Sequence, residues 1–310
     1  MRNLILLVVS MVATTVFAQN PAVTKADSTL NLSKSIFKNV NSRNYSNKGK
    51  FYFHWGYNFS SYANSDLRLY GKGYDFTLKN VVAHDRPTPL SATYIDISRL
   101  SIPQFNFHFG YFIKDNYSIS LGWDHMKYVV DVSQTVKITG TIAPSISEPA
   151  IDASAYSGRY YNADFTINPD FLTFEHTDGF NYASIEVERY DDAWHAKKGK
   201  MYLAMETGLG AGLVVPRTDV RLLEVGQNNY WNVAGWGISA KAGAKLFFNK
   251  HLFFQGSLKT GWTNLSNIRT TGRNGIDKAQ QKISYLQNYG NQSALFSSLI
   301  SYHLLDIELV

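Results

Sequence analysis

Two pairs of ionisable residues in this sequence have the types and spacing for acid–base or metal chemistry. His176 and Asp178 are two residues apart, and Asp124 is followed directly by His125. Side chains at i and i+2 on a strand share a face, so Asp178 could orient His176 as a general base, or both could bind a metal ion. A metal-assisted hydrolase built from the two pairs is one hypothesis. The alternative, which we favour, is that polar strand ends hydrogen-bond to their own loops, because structural ion-pair networks are common.

The segments that carry these pairs alternate apolar and polar side chains with a period of two. In residues 51–59 (FYFHWGYNF) every odd position is aromatic, and the even positions are Tyr, His, Gly and Asn. Residues 105–113 and 117–123 continue the pattern. Such segments are strands with one apolar face and one polar face. The aromatic content of 15% and the small polar residues opposite the aromatic ones favour a bacterial transmembrane β-barrel over a soluble sandwich.

The first residues predict export. Arg2 precedes an apolar run at residues 4–12, and a small-residue cleavage site of the A-x-A kind follows at residues 16–18. The run is shorter than the roughly 20 residues that a spanning helix needs. We therefore expect a signal peptide at residues 1–18, a periplasmic tail at 19–48 and an outer-membrane barrel at 49–310.

Composition excludes several classes of function. The chain has no Cys, so disulfides and thiolate metal sites are not available, and we expect no bound metal or cofactor. The formal net charge of +6 is spread along the chain without a basic cluster, so nucleic acid is not an expected partner. The mild basic excess instead favours contact with anionic lipopolysaccharide.

Short polar turns locate the strand ends. Residues 114–116, 195–200 and 249–250 separate alternating segments, and short turns lie on the periplasmic side of outer-membrane barrels. The sequence thus predicts an all-β, up-and-down antiparallel barrel. Its eight strands are expected at residues 50–62, 103–113, 117–131, 181–192, 200–214, 232–247, 251–264 and 293–306. The long connections then all fall outside the cell, at residues 63–102, 132–180, 215–231 and 265–292. Within the first, short strands are expected at 66–70 and 74–78, and in the second, residues 132–142 are expected to continue the strand before them, so that the barrel rises above the membrane.

The polar faces of these strands predict a charged lumen. An eight-stranded barrel is just wide enough for its side chains to fill, so inward charges must satisfy one another. The residues expected to form this network are Glu186, Glu188, Glu206, Lys241, Lys245 and Lys259. A plugged lumen is favoured over a narrow channel by the size of the barrel, and the channel stays open as an alternative.

Segments 51–59, 102–112 (IPQFNFHFGYF) and 121–129 (LGWDHMKYV), with the closing alternating strand, resemble small outer-membrane barrels of the OmpA and OmpX type. The resemblance implies an architecture and no activity. Such barrels usually end in an aromatic residue, whereas this chain ends in Val310. Outer-membrane lipid hydrolases carry a His-x-Ser pair. The segment 176–179 is similar to that motif at His176 and at Gly179, but Asp178 stands where the nucleophilic Ser would be.

A further pattern predicts contact with lipid. Trp123, His125 and Lys127 share the outward face of one strand, so an aromatic anchor, a titratable ring and a cation follow one another through the outer interface. We expect this face to meet lipopolysaccharide. The function that the sequence favours is non-enzymatic: a structural or surface-interaction barrel that presents residues 63–102 and 132–180 to lipopolysaccharide or an external partner. A lipid-modifying hydrolase at the outer leaflet is the alternative.

Overall fold

The computed structural model of the chain is built from strands and describes residues 46–89, 91–94, 96–99, 102–196, 201–226, 231–249, 252–270 and 276–289. The strands are β1 (Phe51–Tyr62), β2 (Ser65–Gly71), β3 (Tyr74–Val81), β4 (Ala83–His84), β5 (Phe105–Lys114), β6 (Tyr117–Met126), β7 (Val129–Val130), β8 (Thr135–Ile142), β9 (Ser145–Ile146), β10 (Ile151–Asp152), β11 (Gly158–Thr166), β12 (Leu172–Glu175), β13 (Phe180–His195), β14 (Tyr202–Val214), β15 (Asp219–Leu222), β16 (Gly235–Phe247), β17 (Phe253–Arg269) and β18 (Lys278–Tyr289). Three single-turn 3-10 helices lie at Ala92–Tyr94, Ile97–Arg99 and Ser154–Tyr156. No helix in these ranges is long and apolar enough to cross a membrane.

Eight of the strands close into a barrel. Their order around the ring is β1-β5-β6-β13-β14-β16-β17-β18, and β18 pairs with β1 to complete it. Every neighbouring pair is antiparallel. Closure leaves no unpaired edge in the ring, which is the condition for strands to span a membrane. The predicted fold class, an up-and-down transmembrane β-barrel, is confirmed.

The two ends of the barrel differ. At one end, which we call the turn end, β5 and β6, β13 and β14, and β16 and β17 are joined by two to six residues. At the other end, the cap end, the connections after β1, β6 and β14 run over residues 63–104, 127–179 and 215–234. The predicted segregation of long and short connections is therefore confirmed for these strands.

The eighth strand is where the sequence prediction is wrong. The segment 265–292 was expected to be a connection, but β17 continues to Arg269 and β18 occupies Lys278–Tyr289. The predicted strand 293–306 lies outside the described residues. The physical reason is the outward face of β18, which carries Lys282 and Ser284 in place of aromatic residues, so the segment lacks the pattern that identified the other strands.

The long connections fold into a cap. Strands β2, β3, β8 and β11 extend the barrel sheet from β18, and β15, β12, β7 and β4 form a second sheet. The strands predicted at 66–70 and 74–78 correspond to β2 and β3. Residues 132–142 do not continue the barrel strand, which ends at Met126; they contain the separate strand β8, which pairs with β3 and β11. Between the sheets lies an apolar core that includes Leu67, Leu69, Phe76, Leu78, Ile138, Phe171, Leu172, Phe174, Val220 and Leu222. The cap is thus a packed β-structure, which the chain builds from the connections after β1, β6 and β14.

The outward face of the barrel forms an apolar belt. Leu209 is 70% exposed, and the other exposed side chains of the belt include Phe109, Tyr111, Ile119, Leu121, Ile185, Val187, Leu213, Trp236, Ile238, Phe254 and Leu258. A soluble protein rarely exposes a continuous apolar band of this size. The positions between them face inward, as the period of two requires, and are buried or half-buried.

Candidate functional site

The centre of the lumen is filled by buried ion pairs around Lys241. Its Nζ lies 2.8 Å from Glu186 Oε2, 2.9 Å from Glu188 Oε1 and 3.3 Å from Glu206 Oε1. Glu188 also accepts hydrogen bonds of 2.6 Å from Ser118 and Ser120. The three carboxylates come from two neighbouring strands, β13 and β14, and the ammonium group comes from the next strand, β16. One cation therefore joins three strands through the lumen.

Two further lysines complete the network. Lys259 on β17 reaches across the barrel to Asp124 on β6 and also contacts Glu186. Lys245 Nζ lies 3.5 Å from Glu206 Oε1. The structure therefore brings together all six residues that the sequence assigned to the lumen network, and it adds Asp124 to them.

The charges of this network nearly balance. Four carboxylates face three ammonium groups, and the imidazole of His108 lies 3.5 Å from Asp124 and 3.7 Å from Glu186. His108 stacks on the ring of His54 at a centroid distance of 4.6 Å. When His108 is protonated, the set is neutral. Buried charges at such close range require partners of this kind, because an isolated buried ion costs several kcal/mol.

Glycines on β14 make room for the network. A Cβ on Gly208 would lie 2.9 Å from Lys241 Cε, and a Cβ on Gly210 would lie 2.7 Å from Ser239 Oγ and 2.9 Å from Glu186 Cγ. Both glycines stand directly opposite the glutamates of β13 in the strand register. The missing side chains thus leave the space that the long Lys and Glu side chains occupy.

Aromatic side chains close the turn end of the lumen. This aromatic floor consists of Tyr52, Phe112, Tyr190, Tyr202, Phe247 and Phe253, which form one buried cluster with Ala204. Lys245 lies above it, with Nζ 4.7 Å from the ring centroid of Tyr52, 4.6 Å from that of Tyr190 and 4.9 Å from that of Phe253. These cation–π distances are within the favourable range. Sequence reasoning missed the floor, although Tyr52 and Tyr190 stand at inward positions of their alternating strands.

The cap closes the opposite end. Inward side chains at the cap end of the barrel, among them Phe180, Tyr182 and Tyr285, belong to the same hydrophobic cluster as the cap core. Tyr128, on the connection after β6, packs on Phe180 and accepts a 2.7 Å hydrogen bond from Gln281 on β18. The inward side chains at the cap end of the barrel and the core of the cap therefore form one continuous hydrophobic core.

The residues proposed for acid–base chemistry do not form a site around His176. His176 is fully buried among the rings of Tyr128, Phe174 and Phe180, and its Nδ1 lies 2.9 Å from Thr218 Oγ1. Burial lowers the pKa of His176 to about 3. The ring is therefore a neutral member of the cap core.

The other candidate residues lie elsewhere. Asp178 is exposed and lies 3.7 Å from Arg217, while Asp124 belongs to the lumen network. His125 pairs with Asn181 at 2.8 Å. Among the described residues, the group of three or more His, Asp or Glu side chains close enough for one metal ion is His108, Glu186 and Glu188, and the ammonium of Lys241 lies beside both glutamates. The proposed metal-assisted site is not assembled.

The predicted lipid-facing group is covered. His125 is only 7% exposed and stacks on Phe105, and Trp123 packs near Trp231 at a centroid distance of 6.3 Å. Lys127 is half-buried, its Nζ lies 3.3 Å from Thr88 Oγ1, and burial lowers its pKa. The connections after β1 and β14 fold back over this face, which the strand pattern alone does not reveal. His125 and Lys127 are therefore poorly placed to meet lipid directly.

Comparison with solved structures finds small outer-membrane proteins. The crystal structure of OprG from Pseudomonas aeruginosa is 9% identical over 85% of this chain and 100% of its own, with a TM-score of 0.37. The NMR structure of AlkL in lipid bilayers is 10% identical over 93% and 98%, with a TM-score of 0.36. Ail of Yersinia pestis is 10% identical over 78% and 98%, with a TM-score of 0.24. No protein-family model and no curated protein matches the chain.

The described part of this chain has the architecture of a transmembrane β-barrel. The closed ring of eight antiparallel strands and the apolar outer belt establish this independently of the low similarity scores. Its lumen is filled in three layers: the aromatic floor, the ion pairs and the cap core.

Proposed function

We propose that the protein is a closed, non-enzymatic outer-membrane barrel that anchors a folded β-cap at the cell surface for interaction with an external partner. The observation that carries this proposal is the three-layer filling of the lumen. Side chains that would line a pore are instead engaged with one another, from Lys245 over the aromatic floor to Phe180 under the cap. A barrel with this interior serves as an anchor and not as a passage.

The cap supports the interaction role. It is packed around its own apolar core, so it presents fixed surfaces in place of extended loops. At its free edge, β11 pairs only with β8 among the described strands, and Tyr161 on that strand is 91% exposed. Exposed Tyr side chains on a rigid element are common anchors at protein interfaces. The exposed ring of Tyr161, at the far end of the sheet from the barrel, supports the proposed contact with a partner.

The residues proposed for the hydrolase alternative do not form a catalytic arrangement. An acyl-transfer or metal-assisted mechanism needs a nucleophile or a metal within reach of a base. The candidate base His176 is instead enclosed by aromatic rings, and its Nδ1 forms a hydrogen bond with Thr218 Oγ1. The geometry of the described residues thus favours the anchoring role.

Single cysteines test the orientation, because the natural chain contains none. Tyr161→Cys on the cap should react with a membrane-impermeant maleimide on intact cells. Lys114→Cys, exposed at the turn end, should react only after the outer membrane is permeabilised. Labelling of Lys114→Cys but not Tyr161→Cys on intact cells would reverse the orientation and end the proposal.

A further inference from the structure

The outward face of β18 changes from apolar to basic along its length. Leu286 is 47% exposed in the belt, Lys282 is exposed four residues nearer the cap, and Lys278 follows after another four. These positions share one face because side chains on a strand alternate with a period of two. The strand therefore leads from the apolar belt to a row of cations on the outer surface.

Aromatic residues mark the level at which the change occurs. Trp262 on β17 pairs with Ser284 and packs edge-to-face on Trp236, with a centroid distance of 5.3 Å. Tryptophan is enriched at the boundary between hydrocarbon and headgroups. Lys282 lies two residues beyond Ser284, about 7 Å along the strand. Its ammonium group is thus at headgroup height.

A second pair of cations lies farther toward the cap. Arg269 and Lys278 stand directly opposite one another in the β17–β18 register. Lys278 also shares the outward face of β18 with Lys282, so it extends the basic row along that strand.

Nearby carboxylates on β2 and β3 are already engaged. Asp66 lies 2.6 Å from Lys79, and Asp75 lies 2.6 Å from Arg68. In the described part of the chain, Lys282 has no ion-pair partner. Lys282 and Lys278 therefore present two cations on the outward face of β18.

From this arrangement we infer that the outer face of β17 and β18 binds a phosphate group of lipopolysaccharide in the surrounding leaflet. Lys282 contacts the phosphate, Trp236 and Trp262 pack at the top of the acyl chains, and Lys278 attracts the next anionic group. The inference rests on the outer-membrane orientation proposed above. The proposed lipid-binding face on β17 and β18 resembles the face that the sequence predicted on β6, because both carry an aromatic residue followed by a cation. The face on β6 is covered by connections, whereas the face on β17 and β18 is open.

Native mass spectrometry of the purified protein in non-ionic detergent tests the site, with bisphosphorylated lipid A as the probe. A lysine near an anionic lipid surface contributes about 1 kcal/mol, or about fivefold in affinity. Lys282→Gln should weaken lipid A binding about fivefold, and Lys282→Gln with Lys278→Gln about twentyfold. Lys72→Gln, a matched control on the cap whose lysine pairs with Glu148, should bind like the unaltered protein. Each variant is first shown to keep its unboiled mobility on a gel, which reports a folded barrel.

Two further probes decide the ligand. Dephosphorylated lipid A should bind at least twentyfold more weakly, and inorganic phosphate alone should not compete at millimolar concentration. Equal binding of dephosphorylated lipid A, or unchanged binding by the double variant, would overturn the site. Full competition by inorganic phosphate would show a free anion and not a lipid as ligand. Because the assay uses detergent, its outcome is independent of the surface-labelling test of orientation.

Discussion

Replacing Lys241 with methionine should destabilise the barrel far more than the same substitution at a lysine in a solvent-exposed ion pair. The ammonium group lies within 3.3 Å of three buried carboxylates, Glu186, Glu188 and Glu206. Methionine has a similar length and no charge, so the change removes the cation with little loss of volume. Breaking a buried ion pair from one side costs about 3–5 kcal/mol because the remaining charge is left without compensation. We expect a loss in this range.

The measurement is equilibrium unfolding by urea in phosphatidylcholine vesicles, followed by tryptophan fluorescence and by gel mobility without boiling. Lys72→Met is the matched control, since its exposed pair with Glu148 should contribute at most about 1 kcal/mol. Adding Glu188→Gln to Lys241→Met should recover part of the loss, because one of the uncompensated charges is then removed. A loss below about 1 kcal/mol for Lys241→Met alone would refute the description of the lumen as a network of buried ion pairs.

Further predictions concern the belt, the lumen glycines and the cap. Leu209→Arg in the belt should cost about 2–4 kcal/mol, whereas Ile276→Arg, at a similarly exposed position beyond the membrane, should stay within about 0.5 kcal/mol; equal costs would show that the belt is not in lipid. Gly210→Ala should cost about 1–3 kcal/mol by overpacking, and Gly256→Ala, where a Cβ meets nothing within 4 Å, should be neutral in the same unfolding assay. Because the folded pKa of His176 is about 3 and its ordinary value is 6.5, the cap should be most stable above pH 6.5 and lose stability as the pH falls toward 3. His176→Phe should remove most of this dependence in thermal unfolding between pH 4 and 7, and an unchanged pH profile would contradict the buried neutral ring.

The sequence predicts those strands whose outward face must meet lipid. On β1 and β5 an aromatic residue stands at almost every second position, so both the strand and its inward face follow from the pattern. The same reasoning does not identify β18, because its outward face carries Ser284 and Lys282 where the other strands carry apolar or aromatic residues. Strands of the second cap sheet, such as β4 and β7, have two residues each and are too short to show any period.

The lumen was predictable in membership but not in pairing. Alternation tells which side of a strand a Lys or Glu occupies, and the narrow barrel requires opposite charges to meet. Which partners meet depends on the stagger of strands around the ring, which local sequence does not encode. Lys259 and Asp124, for example, are 135 residues apart and come together only across the closed barrel. The covering of His125 has the same origin, because distant connections fold over it.

Single-channel recording in a planar bilayer tests the closed lumen most directly. The purified monomer, inserted from detergent beside an open porin as a positive control, should show no steady conductance, because the aromatic floor, the ion pairs and the cap core each fill the lumen. A steady, reproducible conductance from the folded monomer would contradict the account and return the protein to the class of channels.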